Sequence, residues 1–465
     1  MSDYIADEQG PDAEPISGLD QLVAHILRGS KPEADWVVGT EVERVGLDPT
    51  TGAALPFSGE RGVEAILRGM CERFGWEPNQ EGDRIIGLSR GDSSITLEPG
   101  GQVELAGRPF RSLLDGAAEL QANGEELSNI AEEIGAVFVG LGVQPVTPLE
   151  QIEWVPKGRY GIMGPYMKQV GALGQRMMKQ TATVQVNLDF SSEADAIEKM
   201  RVATGIGPIL NAIFANSAIS EGQPNGYLSY RAHVWTDTDR ARCGILPFLF
   251  TESAGIVDYV EWALDAPMYF IRRADTYLDL SGLPFREFWE KGASGTRATV
   301  GDFALHLSTL FPEVRLKTWI ELRMADSPPP DSVLALSAMA KGVLYEPDCR
   351  MGAWDLVKEW PLEERHALLE TVARGGFAAR AGRHSIADLA RELVVIAEEG
   401  LNRLARAAGE SGGEAALLEH TIDRVRRGRT SAEETLDIWK LGGANRVTDL
   451  VRHTAYSASR SDQAG

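Results

Sequence analysis

Several stretches of the chain alternate between polar and apolar residues, and their polar positions are crowded with carboxylates, amides and guanidinium groups. WVVGTEVERVG, SSITLEPGGQVELAG, TATVQVNLDFS and VRLKTWIELRMAD carry the period of two that sends successive side chains to opposite faces of a strand. A chain built this way must form a sheet with one face against an apolar core and one face free to carry charge.

In the first stretch Glu41 and Glu43 share a face, about 7 Å apart. Like charges so placed are costly unless water or a cation stands between them, and Mg²⁺ favours carboxylate oxygens. A solvated strand face explains that pair equally well when it is taken alone. In the second stretch the Pro99-Gly100-Gly101 break separates Glu98 from Gln102 and Glu104, and a reversal there carries two more carboxylates towards the first pair. In the third, Thr183, Gln185, Asn187 and Asp189 lie opposite Val184, Val186 and Leu188; such neutral amides suit a zwitterionic amino acid, or simply cross-strand hydrogen bonding.

The fourth stretch, read as one strand, places Arg315, Lys317, Trp319, Glu321 and Arg323 on one face. Cations with a carboxylate among them suit a phosphate and metal site, and a salt-bridged outer face is the alternative. The loop PKGRYGIM offers Lys157 and Arg159 for anion contact or as a basic turn. In PNGYLSYRAHVWTDTDR, Arg231 is a candidate clamp for a carboxylate, and His233 reads as a structural imidazole. Neither GxxxxGK[ST] nor a GxGxxG strand-turn-helix fingerprint occurs, so a nucleotide would have to be held by the sheet.

With 465 residues and 43 % hydrophobic content the chain can bury a large core. Its formal charge of −22 opposes nucleic acid and anionic membrane surfaces. Cys71, Cys243 and Cys349 are far apart with no CxxC pair, which fits a reducing compartment. The N-terminal sequence has no basic segment followed by an apolar one, and no run of about 18 apolar residues occurs, so a cytoplasmic protein without membrane contact is expected. Residues 1–16 read as a flexible acidic tail and 17–465 as a single catalytic domain, with 355–455 mainly helical. Capping boxes are expected at Ser17 with Asp20, Ser112 with Asp115, Ser192 with Asp195, and Ser431 with Glu434.

GTEVERVG, EGDRIIGL, SITLEPGGQVELAG, PKGRYGIM, TVQVNLDFSSEAD, PNGYLSYRAHVWTDTD, ALDAPMYF and FPEVRLKTWIELRMAD together resemble the plant and proteobacterial type of glutamate–cysteine ligase, in order from about residue 36 to 350. The resemblance implies an α+β fold: a glutamine-synthetase-like antiparallel half-cup with helices packed outside and a mostly helical C-terminal part. It implies ATP-dependent ligation of the glutamate γ-carboxylate to the amino group of cysteine through a γ-glutamyl phosphate, with Mg²⁺ as cofactor.

By the same resemblance, Glu41, Glu43, Glu98, Glu104 and Glu321 are the metal candidates. Arg231 and Tyr269 are substrate candidates, joined by Gln185, Asn187 and Trp235. Arg315, Arg323 and Glu321 are the catalytic candidates, and Lys157, Arg159 and Lys317 the nucleotide contacts. Glutamate, cysteine and ATP are the implied partners, and the state expected is a monomer or weak homodimer. Two alternatives stay open: a γ-glutamyl ligase for another amine, and a non-catalytic glutamate- and nucleotide-binding protein. The sequence departs from the plant pattern at Val42 and Arg44, where His and Lys are typical, and in the shorter segment EKGASGTRATVGD. Val42 is expected to face away from the carboxylates.

Overall fold

The first alternating stretch becomes β1 (Val38–Leu47), the strand around which a nine-stranded sheet assembles in this computed structural model. The structure describes residues 13–274, 276–410 and 412–456. In chain order the other strands of the sheet are β2 (Glu77–Glu81), β3 (Arg84–Arg90), β4 (Ser93–Leu97), β5 (Val103–Ala106), β6 (Val137–Val139), β7 (Val184–Leu188), β8 (Val314–Leu316) and β9 (Ile320–Leu322). They lie side by side as β8-β9-β7-β1-β5-β4-β3-β2, with β6 beside the far end of β1. Every pairing is antiparallel.

Register follows from the alternation. Val42, Ile95, Leu105, Val184, Val186, Ile320 and Leu322 all fall on the outer face and are fully buried; each contributes about 1.5–3 kcal/mol by leaving water. Val42 thus faces away from the carboxylates, as expected. Helices cover that face: Thr40 of β1 shares a 2.7 Å hydrogen bond with Ser337 on the helix Ala335–Tyr345, and the Tyr345 hydroxyl donates to Val37 O and accepts from Asp189 N. The opposite registers, Glu43↔Glu104, Thr96↔Glu104, Glu41↔Gln185, Glu321↔Asn187 and Arg315↔Glu321, gather the polar side chains on the inner face.

The stretch VRLKTWIELRMAD is not one strand. Lys317 N–H donates to Trp319 O and folds β8 back on β9, so Arg315 stands opposite Glu321. The one-face reading survives because residues paired across a hairpin share a face just as residues two apart do.

Beyond residue 355 the described chain is largely helical, with Leu362–Gly375, Ile386–Ala408, Glu419–Arg427, Ser431–Leu441 and Arg446–Thr454. The caps at Ser112 and Ser192 form, accepting from Leu114 N and Asp195 N. The one expected at Ser431 sits a residue earlier, as a reciprocal Thr430–Glu433 box. At the first helix the cap residue is Gly18, and Ser17 turns both its N–H and its hydroxyl to Gln21 Oε1 instead. The tail reading also ends too late. Ile16 is buried and donates to Ala298 O, and Glu14 O accepts from Val300 N; residues 1–12 lie outside the described chain.

Candidate active site

Three of the carboxylates singled out by alternation meet. Ligand oxygens of Glu43, Glu98 and Glu104 lie within 4.8 Å of one another. Glu104 reaches this point because β5 pairs with β1 at Glu43. Glu98 arrives through the turn at Pro99-Gly100-Gly101, closed by hydrogen bonds Gly101 N to Glu98 O and Glu98 N to Gln102 O, both 2.9 Å. Gly101 takes φ +85°, and a Cβ on Gly100 would stand 2.1 Å from Lys179 O, so the turn admits no larger residue at either position without shifting.

Burial raises Glu43 well above the usual carboxylate range, and repulsion from Glu98 and Glu104 adds to it. Burial, with Glu41 and Glu98 adding repulsion, pushes Glu104 up to about 7. An all-oxygen donor set whose charges oppose each other fits a hard divalent cation. Glu43 is held in place by Thr183 N–H at 3.0 Å.

Glu41 and Glu321 are not part of this triplet. Glu41 accepts from Asn187 Nδ2 at 2.9 Å, one strand pair along the same face. Glu321, fully buried, is enclosed by cations: Arg315 Nη2 reaches both its oxygens at 2.6 and 2.8 Å, Lys317 Nζ stands at 3.0 Å, and Arg323 Nη1 also contacts it. Its carboxyl group is therefore held well below the usual carboxylate range despite its burial, with Arg315 the leading partner. In this arrangement Glu321 stands apart from the triplet, engaged by three cations.

Arg315 belongs to the same arrangement. Its remaining donors go to Ser308 O and Leu310 O, and it is 1 % exposed, leaving nothing for a phosphate. Lys317 is likewise pinned to Glu321 and packed over the Trp319 ring.

A cleft enclosing about 550 Å³, counting its open mouth, adjoins the triplet. Glu43 and Glu98 line it together with Gln185, Arg231, Trp235 and Arg323. Arg231 and Trp235 lie on a helix, Tyr230–Thr236, where the sequence reading had a loop; they are four apart and so share its inner side. Arg231 is buried and gives hydrogen bonds to Met324 O and Arg323 O. The Trp235 indole N–H is buried with no acceptor among the described residues. Arg323 donates to Gln185 Oε1 as well as to Glu321. His233, on the outer side, pairs with Glu370 at 2.8 Å and stacks on Tyr227, a structural role.

Lys157 and Arg159 are buried at the start of the helix Gly158–Val170, not in a loop, close enough for their charges to act on Glu98. Asn187 lies on the inner face but does not line the cleft. Tyr269 is displaced from it: it is buried beneath Arg242, 3.8 Å from ring centre to guanidinium, with its hydroxyl against Met167 Sδ.

The alternation did not reveal the cleft's apolar wall, made by Tyr160, Met163, Met177, Met178 and Phe311. Nor did it reveal Asp326, which accepts from Asn216 N, Ser217 Oγ and Ser229 Oγ and so fixes the start of the helix bearing Arg231. The clustered methionines of GIMGPYM and RMMKQ were the available signal for the wall.

Comparison with known proteins agrees with this architecture. A sequence model of glutamate-cysteine ligase family 2 matches residues 37–452. The chloroplastic glutamate–cysteine ligase of Nicotiana tabacum is 44 % identical over 430 residues, 92 % of this chain and 80 % of the relative. That of Solanum lycopersicum is 43 % identical over 447 residues, 96 % of this chain and 84 % of the relative. Among solved structures, the glutamate–cysteine ligase of Francisella tularensis in complex with AMP superposes with a TM-score of 0.52 at 13 % identity, covering 90 % of this chain and 87 % of that one, a likeness of fold. The α+β half-cup expected from the sequence is therefore the fold found. The expectation of a cytoplasmic address is overturned, because the relatives are named chloroplastic. No helix among the described residues is long and apolar enough to cross a membrane.

Proposed function

The chain belongs to glutamate–cysteine ligase family 2, and from that premise we propose that the inner face of β1, β5 and β7 is where it joins the γ-carboxylate of glutamate to the amino group of cysteine with ATP and Mg²⁺. The observation that carries this assignment is the convergence of Glu43, Glu98 and Glu104 beside a cleft lined by Arg231, Arg323 and the unpartnered Trp235 N–H. Phosphoryl transfer to a carboxylate needs two anions brought together, and positioning with charge neutralisation serves it better than a nucleophilic side chain.

Glu43, Glu98 and Glu104 would hold magnesium, which would supply counter-charge for the anionic oxygens of nucleotide and substrate. Arg231 holds the glutamate α-carboxylate with the donors its two carbonyl bonds leave over, and Trp235 N–H gives a further bond. Gln185 and Arg323 orient the γ-carboxylate, while Lys157 and Arg159 face the nucleotide phosphates. Glu321 acts through Arg323, as a positioning residue anchored by Arg315 and Lys317. Met163, Met177 and Phe311 exclude water that would otherwise hydrolyse an acyl phosphate.

The helices beyond residue 355 pack mainly on other helices, Leu362–Gly375 against Glu193–Ile213 and Ile386–Ala408 against Ala335–Tyr345, and we take them as part of the same catalytic unit.

The test is ADP release measured with glutamate and a panel of amino acids. Release that requires Mg²⁺, glutamate and cysteine together supports the proposal. Equal release with an unrelated amine overturns the acceptor, and release unaffected by chelation overturns the metal.

A further inference from the structure

On the outer side of the sheet a second cavity, enclosing about 1250 Å³ with its open mouth, lies between the helix Leu113–Glu133 and the segments around Pro330–Leu334 and Ala416–Leu417. Its lining includes Arg44, the residue of β1 that follows Glu43 and so points the opposite way. Arg44 is 1 % exposed, and no carboxylate is paired with it among the described residues. Its Nη1 donates to Asn123 Oδ1 at 2.8 Å, and the Tyr456 ring lies 4.8 Å from the guanidinium.

Arg44 Nε and Asn123 Nδ2 are buried without a hydrogen-bond partner among the described residues, and the Tyr456 hydroxyl, with no hydrogen bond of good geometry, lies close enough to favour the charge on Arg44. All three can donate, and a buried guanidinium without a counter-charge is among the costliest groups a fold can hold. What this corner lacks is an acceptor carrying negative charge. The two carboxylates in the lining are already engaged: Asp331 by Arg424 at 2.9 Å, and Glu125 by Gln121 Nε2 at 3.0 Å. Away from the donors the walls are apolar, with Leu120, Leu334 and Leu417.

We propose that this cavity is a binding site for a small carboxylate with an apolar body, its carboxylate seated on Arg44, Asn123 and Tyr456 and its body against Leu120, Leu334 and Leu417. The site is separate from the catalytic cleft, across the thickness of the sheet. Its occupant touches β1 at the residue next to Glu43.

Calorimetric titration of the full chain with hexanoate and with 4-phenylbutyrate tests this, with hexanol and hexylamine as controls of similar body. The expected result is saturable binding of both carboxylates that persists at saturating glutamate, with the controls at least ~tenfold weaker. Arg44→Met should weaken carboxylate binding at least ~tenfold. Gly124→Leu provides a second variant that leaves Arg44 in place. A Cβ at Gly124 meets nothing within 4 Å, and leucine favours the helix, so this change narrows the cavity beside Asn123 without straining the fold and should weaken binding several-fold. No saturable binding of either carboxylate, displacement by glutamate, or binding left unweakened by Gly124→Leu overturns the proposal.

Discussion

At Glu104, burial and neighbouring carboxylates raise the pKa from the ordinary 4.5 to about 7. A carboxyl group whose folded pKa is raised contributes stability in full below its unfolded pKa, and loses that contribution as pH rises through the folded one. In metal-free protein, Glu104→Gln should therefore raise the melting temperature at pH 8 and leave it nearly unchanged at pH 4, while turnover falls by about a hundredfold or more. Thermal scans in chelator at the two pH values, beside an ADP-release assay, check both halves. An equal shift at both pH values would mean that the gain is not electrostatic.

Arg231 offers a second comparison. Lysine keeps the charge but loses the planar fork, so Arg231→Lys should raise KM for glutamate about tenfold or more and KM for ATP much less. Equal changes would remove Arg231 from the glutamate subsite.

The β8–β9 hairpin shows what an element adds that a residue pattern does not contain. Arg315 and Glu321 stood out in the sequence as charged inner-face residues, and they are; but period two fixes only the face, whereas the partner across the sheet decides whether a charge is available. Glu43, Glu98 and Glu104 were legible because acids were the only charges their strands brought to that point. The pairing of Glu321 was not legible, because a tight turn returned Arg315 to it. Tyr269, named from the resemblance alone, lies outside the main sheet, where no alternation bears on it.

If Arg315 serves the hairpin, Arg315→Met leaves Glu321 short of its bidentate partner and costs on the order of 3 kcal/mol of stability. In protein that still folds, KM for ATP should then stay within about twofold of wild type. Denaturant unfolding together with steady-state kinetics separates this from a phosphate-binding role, in which KM would rise and stability would not fall.

Across the whole molecule the three cysteines are separate and free. Burial pushes the thiols of Cys243 and Cys349 up to about 12, leaving little reactive thiolate at neutral pH. Initial rate and elution volume should therefore be the same with reductant and with mild oxidant, and a several-fold rate change accompanied by an intramolecular disulfide would disprove it.

The burial of Lys157, Arg159 and Arg231, with Arg323 only partly exposed, in and beside the cleft also bears on the speed of encounter. From a distance, a nucleotide meets a body of formal charge −22 and is turned away before it can sense the cations inside. Added salt shortens the reach of that repulsion, from about 30 Å at 0.01 M to about 8 Å at 0.15 M, while the sheltered cations are screened much less. The association rate constant for ATP in stopped-flow measurements should thus climb with ionic strength over this range, the reverse of what an enzyme that displays its phosphate-binding cations on its surface would do.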